Sequence, residues 1–428
     1  MRQTTRTALA ALACCAFIPA AASAASAASA ASAAVFDAEA ATQAYLATLK
    51  GTARAKSDAY FEGGYWLLLW GTLASVLVDF ILLRMGLSAR FRDWAERRTK
   101  RRFVQSMLYA VPYIIAGAIL LIPWTIYTGY VREKQYGLLT QGFGGWVGEQ
   151  GILLAINVVA FSLIIALVMN GIRRSPKRWW IWGTGMAGLF MAFFIMITPV
   201  FVNPLFNTYT EMKPGPVRDR IVGMAQSQGI PAEHIYVFDQ SKQHKRISAN
   251  VSGLGPTIRI SLNDNLLSRT TLAETAAVMG HEMGHYVLDH ALKLVVGFAL
   301  VFGACFWLAS LIVPGIVSRW GDAWGLRGID DVAAWPVYSM VISVLILAMT
   351  PVKNTLIRIN ESEADAFGLN VAREPDGFAS AAMRLSEYRK IEPGAVEEFL
   401  FYDHPSGRTR VRMSMEWKAR HLQETKPR

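Results

Sequence analysis

Leu272-Ala-Glu-Thr-Ala-Ala-Val-Met-Gly-His281-Glu282-Met-Gly-His285-Tyr-Val-Leu-Asp289-His290 is the stretch from which the rest of the chain can be read. Its small and apolar residues, the acidic Glu274 near its start and the absence of proline predict a helix. Four residues advance a helix by about 400°, so His281 and His285 share one face and can grip one metal ion. Glu282 is adjacent to the first histidine, where a carboxylate can reach a water at the metal without ligating the ion. This is the H-E-x-x-H pattern, for which zinc is the expected metal and the glutamate the expected general base of a metalloprotease. Five-residue matches also arise by chance. Here the chain has only 7 histidines, and the match sits in a helix-compatible window.

A catalytic zinc usually keeps three protein ligands and one open position. The metzincin continuation H-E-x-x-H-x-x-G-x-x-H fails: Leu288 replaces its glycine, Ala291 its last histidine, and His290 is one residue out of register. A carboxylate further along is the remaining route, and Arg358-Ile-Asn-Glu361-Ser-Glu363-Ala364-Asp365-Ala-Phe supplies candidates. Glu361 and Asp365 are four apart and share a helix face, while Glu363 points elsewhere. Glu361 can then serve as ligand, with Asp365 accepting a hydrogen bond from a ligand histidine. Taken alone, the triplet is more readily a solvated acidic patch.

H-E-x-G-H followed by E-x-x-A-D, with apolar spans before and between them, resembles the membrane zinc endopeptidases that include CAAX prenyl protease 1. The similarity runs from about Gly63 to the C-terminus. It implies one Zn2+ held by His281, His285 and Glu361, with Glu282 as catalytic base and a peptide or protein substrate, prenylated in the case of CAAX proteins. It also implies a ring of transmembrane helices around a polar chamber, closed at one end by a small α+β protease part. His404-Pro405-Ser-Gly-Arg-Thr-Arg410 resembles the family's C-terminal motif, which gives His404 a hydrogen bond to the developing oxyanion or scissile region and lets Arg410 pair with Asp365. Asn250, in Ser248-Ala-Asn250, matches the family's S-N-A region in part, the order differing; the implied role is substrate contact, beside an edge strand that pairs with the substrate backbone. Ile122 to Tyr127 and Glu133 to Gly137 also match, without a chemical role.

With 428 residues, 53% of them hydrophobic, and a mean hydropathy of +0.28, the chain is too apolar for an ordinary soluble enzyme. Six apolar segments, near 64–84, 105–128, 149–171, 179–201, 293–318 and 334–352, are each close to the roughly 20 residues a bilayer needs. The expected fold is mainly α: a polytopic membrane helix bundle of six spans plus a signal sequence, with a small zincin-like α+β domain. The expected division is a signal peptide at 1–24, an Ala/Ser spacer and amphipathic lead-in helix at 25–62, a membrane domain at 63–201 and a metallopeptidase domain at 202–428. The resemblance has seven spans, and the signal sequence stands where the first would be. In the soluble part, a helix is expected from Val217 to Gln228, strands at Ile235–Phe238, 248–255 and 257–261, a break at Pro375-Asp376-Gly377, and a helix from Phe378 to Tyr388. Trp179, Trp180 and Trp182 read as an interfacial belt, and Arg408 to Arg428 as a solvated helix.

The net charge of +11 would suggest nucleic acid in a soluble protein. In a multi-span protein, cytoplasmic Lys/Arg loops explain it, so the expected partners are a peptide substrate and the lipid bilayer, and no nucleic acid. Arg84 to Arg102 and Arg173 to Arg178 are those loops, and counting spans from them puts residues 202–292 and 353–428 on the periplasmic side of a bacterial inner membrane. That is the reverse of the eukaryotic members. Cys14 and Cys15 fall in the signal segment, leaving Cys305 in a span, so neither a disulfide nor a cysteine nucleophile is expected. A site-2-type protease is disfavoured, because the motif precedes the apolar run at 293 and no L-D-G occurs. A transporter or scaffold is disfavoured too, since Asp79 is the one clear charge inside a span. Prenylated CAAX proteins and general periplasmic quality control both stand as substrate readings.

Overall fold

The structure is a computed structural model that describes residues 36–253 and 258–424. The signal peptide expected at 1–24 lies outside the described residues. In hydrocarbon every backbone polar group must be satisfied within its own segment, so the long apolar runs fold as long helices. A short α1 (Ala38–Leu46) precedes α2 (Gly51–Arg84), a basic α3 (Leu87–Arg98), and α4 (Arg102–Ile126), which continues through a π turn to Gln135. α5 (Phe143–Arg174) and α6 (Trp179–Ile197) complete the first set. The lead-in helix and first span expected to divide near Gly63 are one helix from Gly51, because no proline interrupts Gly63-Gly64.

A four-stranded sheet follows, built from β1 (Tyr209–Glu211), β2 (Ile235–Phe238), β3 (Ala249–Ser252) and β4 (Arg259–Asn263), with α7 (Pro216–Ser227) between the first two. The order is β1-β2-β4-β3; β2 and β4 run parallel and both outer pairs are antiparallel. β1 has three residues, too few for alternation to reveal it in the sequence. Ile221, Ile235, Ile260, Leu262 and Leu266 bury one face against Met279 and Met283 of the next long helix.

After α8 (Asp264–Arg269) come α9 (Leu272–Val287), α10 (His290–Trp320), α11 (Trp335–Ala348) and α12 (Thr350–Ala372). Among the described residues five helices are long and apolar enough to cross a membrane, and the α11–α12 pair, bent by 54°, makes a sixth if taken as one span. Pro351 at the start of α12 cannot continue the hydrogen bonding of α11, and the bend falls there. The last elements are α13 (Pro375–Leu385), α14 (Ala395–Phe401) and α15 (Gly407–Glu424).

Three expectations are corrected. Pro375 opens α13 as its first residue, where its missing N–H costs nothing, so the expected break is a helix start. Trp179 is 2% exposed and packs against Tyr338 and Phe306 in the bundle core, unlike Trp182 at 67%. The C-terminal helix is not simply solvated: Arg410, Val411, Ser414, Met415 and Trp417 are buried against α13 and α1.

Candidate metal centre

α9 starts on a capping box. Thr271 accepts from the Glu274 N–H, Glu274 Oε2 accepts from the Thr271 N–H at 2.7 Å, and Arg384 holds the other Glu274 oxygen at 2.7 Å. The helix then crosses α12 at very short range. A Cβ on Gly280 would lie 2.9 Å from the Gly368 carbonyl oxygen, one on Gly284 3.1 Å from Ala364 Cα, and one on Gly368 2.7 Å from the His281 nitrogen. Only small residues permit this approach, and the approach brings Glu361 to the two histidines.

His281, His285 and Glu361 each offer one ligand atom, all within 4.8 Å of one another. His281 Nε2 and His285 Nε2 are 3.0 Å apart, His281 Nε2 is 3.3 Å from Glu361 Oε2, and His285 Nε2 is 3.4 Å from Glu361 Oε1. A tetrahedral ion about 2.0–2.1 Å from N and O ligands needs neighbouring ligand atoms roughly 3.3–3.4 Å apart, so the donor set fits one divalent ion. Glu361 Oε2 is buried and accepts no hydrogen bond among the described residues, as a carboxylate oxygen reserved for a cation would.

The imidazoles show the same demand for positive charge. Burial disfavours a charged His281, yet its hydrogen bond to Asp365 and the nearby Glu361 carboxylate outweigh it and push this group up to about 10. Burial and the neighbouring His281 charge push His285 down to about 4.

The outer nitrogens are held on both sides. His281 Nδ1 is 2.7 Å from Asp365 Oδ1, and Arg410 Nη2 donates to the same oxygen at 2.5 Å. Asp365 is 0% exposed and Arg410 8%, so this ion pair is sealed off from water. His285 Nδ1 meets His290 Nδ1 at 2.9 Å, His290 Nε2 lies 3.1 Å from Glu363 Oε2, and Lys293 Nζ donates to that oxygen at 2.6 Å.

His290 and Glu363 are the residues that sequence reasoning missed. On an unbroken helix a residue five positions after His285 lies roughly 140° around the axis. Asp289 instead adopts φ 54°, ending α9 and restarting the chain as α10, and this turn swings His290 back onto His285. A left-handed aspartate was the local signal, since Asp is among the few residues that tolerate that conformation.

Glu282 lies on the wall of a cavity of ≈190 Å3, together with His281, His404, Arg410 and Ile247 to Ala249. Burial pushes its carboxyl up to about 7; Glu361 adds to this, while charged His281 and Arg410 oppose it. His404 sits in the loop before α15 with Nδ1 2.7 Å from Asp403 Oδ1 and Nε2 3.2 Å from Glu361 Oε2. β3 is the edge of the sheet beside α9. Asn250 stands on that edge opposite Ser261, while the cavity lining comes from the residues just before it. Glu133, in the stretch without a chemical role, accepts from Tyr60 at 2.6 Å and from Arg246 Nη2 at 2.5 Å, tying α2, the end of α4 and the loop before β3 together.

Comparison with known proteins gives the same picture from sequence. Residues 212–418 match the model of peptidase family M48, and residues 41–208 match the CAAX prenyl protease N-terminal model, described as five membrane helices. An uncharacterized metalloprotease of Bacillus subtilis, YhfN, is 28% identical over 88% of this chain and 89% of its own length. The human CAAX prenyl protease 1 homolog is 23% identical over 82% of each. The crystal structure of S. mikatae Ste24p superposes with a TM-score of 0.71 at 20% identity, covering 85% of this chain and 88% of that one, a likeness of fold. With matched models over both parts of the chain and a His/His/Glu cluster built for one divalent ion, the chain belongs to the M48/CAAX prenyl protease superfamily of membrane metalloproteases.

Proposed function

We propose that the protein is a zinc-dependent membrane endopeptidase that removes residues near the C-terminus of its substrates. The observation that carries this is that Glu282 and His281 line one cavity, and that His281 belongs to the His281–His285–Glu361 donor set. Two imidazoles and one carboxylate are the ligand chemistry of catalytic zinc sites with an open position. Zinc bound there supplies Lewis acidity, polarising a carbonyl and acidifying water.

The chain's own groups do the rest. Asp365, fixed by Arg410, accepts the Nδ1 proton of His281 and leaves Nε2 with its lone pair toward the metal position. Glu282 is the base that takes a proton from water and returns it to the leaving amine. Its raised carboxyl suits both halves of that task. Asp403 orients His404, whose Nε2–H can donate to the oxyanion of the scissile carbonyl. The β3 edge offers backbone groups to an extended substrate, and Asn250 is the side chain on that edge available for contact.

Prenylated CAAX proteins are the substrate class that the relatives' names suggest. A second substrate reading, outward-facing quality control, is favoured by charge. α3 carries Arg90, Arg92, Arg97 and Arg98 at the end of the bundle where Arg92 pairs with Asp331 and Arg327 with Glu96. Positive residues favour the cytoplasmic side, and this supports a reading in which the metal cavity, at the other end, faces the periplasm of a bacterial inner membrane.

The test is zinc content and cleavage of casein and a farnesylated CAAX peptide in detergent, wild type beside Glu282→Gln. Bound zinc in both with cleavage only in wild type is the expected result, with a loss of about 10²–10⁴-fold or more. Wild-type cleavage by Glu282→Gln would overturn the mechanism. Farnesyl-peptide cleavage without casein cleavage selects the CAAX reading; cleavage of both selects quality control.

A further inference from the structure

One cation on the cavity wall has no part in that mechanism. Arg389 lies half-buried in the turn after α13. It lines both the ≈190 Å3 cavity of His281 and Glu282 and a neighbouring chamber of ≈630 Å3, and Ile247, Ser248 and Tyr388 are the other residues common to both. Arg389 therefore stands where the two spaces meet.

The chamber's other charged groups are occupied. Arg246 Nη2 donates to Glu133 at 2.5 Å and to the Tyr60 hydroxyl at 2.8 Å. Arg132 donates to the Tyr60 carbonyl and lies over the Tyr60 ring. Asp403 is taken by His404 at 2.7 Å. The Arg389 guanidinium has no hydrogen bond or ion pair among the described residues. A guanidinium never deprotonates in a protein, so this charge is permanent; the Asp403 carboxylate is within electrostatic reach, but none of the guanidinium's donors is hydrogen-bonded to a carboxylate. Its planar fork of donors matches a carboxylate with two parallel hydrogen bonds.

We propose that Arg389 binds a carboxylate of the peptide substrate, in the first place the free α-carboxylate of its C-terminus, and so directs cleavage to bonds close to the chain end. The inference rests on the peptidase reading above and names what that site selects. A small cavity leading into a chamber admits a chain end more easily than a loop with both arms extended, which favours the terminal carboxylate over an Asp or Glu side chain. One charge-assisted pair is worth about tenfold or more in binding.

The experiment uses the full-length protein in detergent and three peptides: the free acid and the C-terminal amide of one sequence, and the amide of that sequence with its last residue replaced by glutamate. Binding is measured on the Glu282→Gln protein, so it does not depend on turnover, and kcat and KM are measured on the wild type. The free acid is expected to bind at least about tenfold tighter than the amide, with the difference appearing in KM. Arg389→Gln should bring that ratio close to one, and Arg389→Lys should keep part of it, with zinc content and Tm verifying that both variants are folded. Tight binding of the glutamate amide would supply the carboxylate from a side chain and still support the site. Equal binding of acid and amide by the parent protein, or a ratio unchanged in Arg389→Gln, overturns it. Failure of the peptidase reading shows separately, as absence of Glu282-dependent cleavage of every peptide.

Discussion

At the scale of single residues, the candidate metal ligands His281 and His285 are held by different neighbours, and those neighbours differ in kind. His281 is steadied by a sealed ion pair, His285 by another imidazole. Removing His290 leaves the outer nitrogen of His285 without its partner. His290→Ala should weaken zinc about 10–100-fold in chelator competition, with His290→Gln milder because an amide can still hydrogen-bond. Arg410→Met strands the Asp365 charge in a fully buried position. A destabilisation of about 3–5 kcal/mol is expected, read as a lower Tm in detergent. For Glu282 the sign is simple. The base must be a carboxylate, so kcat/KM falls as pH drops through its pKa and is full above it. A bound dication draws that pKa down, so the acid limb of the profile should lie at or below about 7.

At the scale of elements, the crossing of α9 and α12 sets how closely the ligands meet, and glycine sets the crossing. Gly368→Ala puts a methyl against the His281 backbone and should cost about 1–3 kcal/mol and part of the zinc content. Gly223→Ala on α7, where nothing lies within 4 Å, should instead stabilise by about 0.5–1 kcal/mol, and the pair of melting curves separates packing from helix propensity. The long apolar helices, β2 and α9 with its H-E-x-x-H pair were legible in the sequence, because each has a strong period or a spacing fixed by helix geometry. β1 was not, being too short, and the α13 start was misread because proline signals a helix beginning as well as an end. The E-x-x-A-D stretch was only half legible. Spacing put Glu361 and Asp365 on one face, but that this face meets α9 depends on small residues on two helices far apart in sequence. His290 falls outside the metzincin ligand register, and its contact with His285 depends on the left-handed turn at Asp289, which spacing alone does not reveal.

At the scale of the whole molecule, two ends of the helix bundle do different things. One end is basic and tied by the Arg92–Asp331 and Arg327–Glu96 pairs; the other carries the sheet, the cavity and the chamber. The first and last described helices meet at that second end. The Tyr45 hydroxyl donates to Asp376 at 2.9 Å, Arg408 donates to Glu39 at 2.8 Å, and α15 itself delivers Arg410 to the metal site. A reporter enzyme fused behind the last helix is consequently a compartment label for the cavity. Alkaline phosphatase, active only after export, should light up there if the site faces outward, and a cytoplasmic fluorescent protein should stay dark. One tag at one end thus tells which pool of proteins can ever reach the cavity.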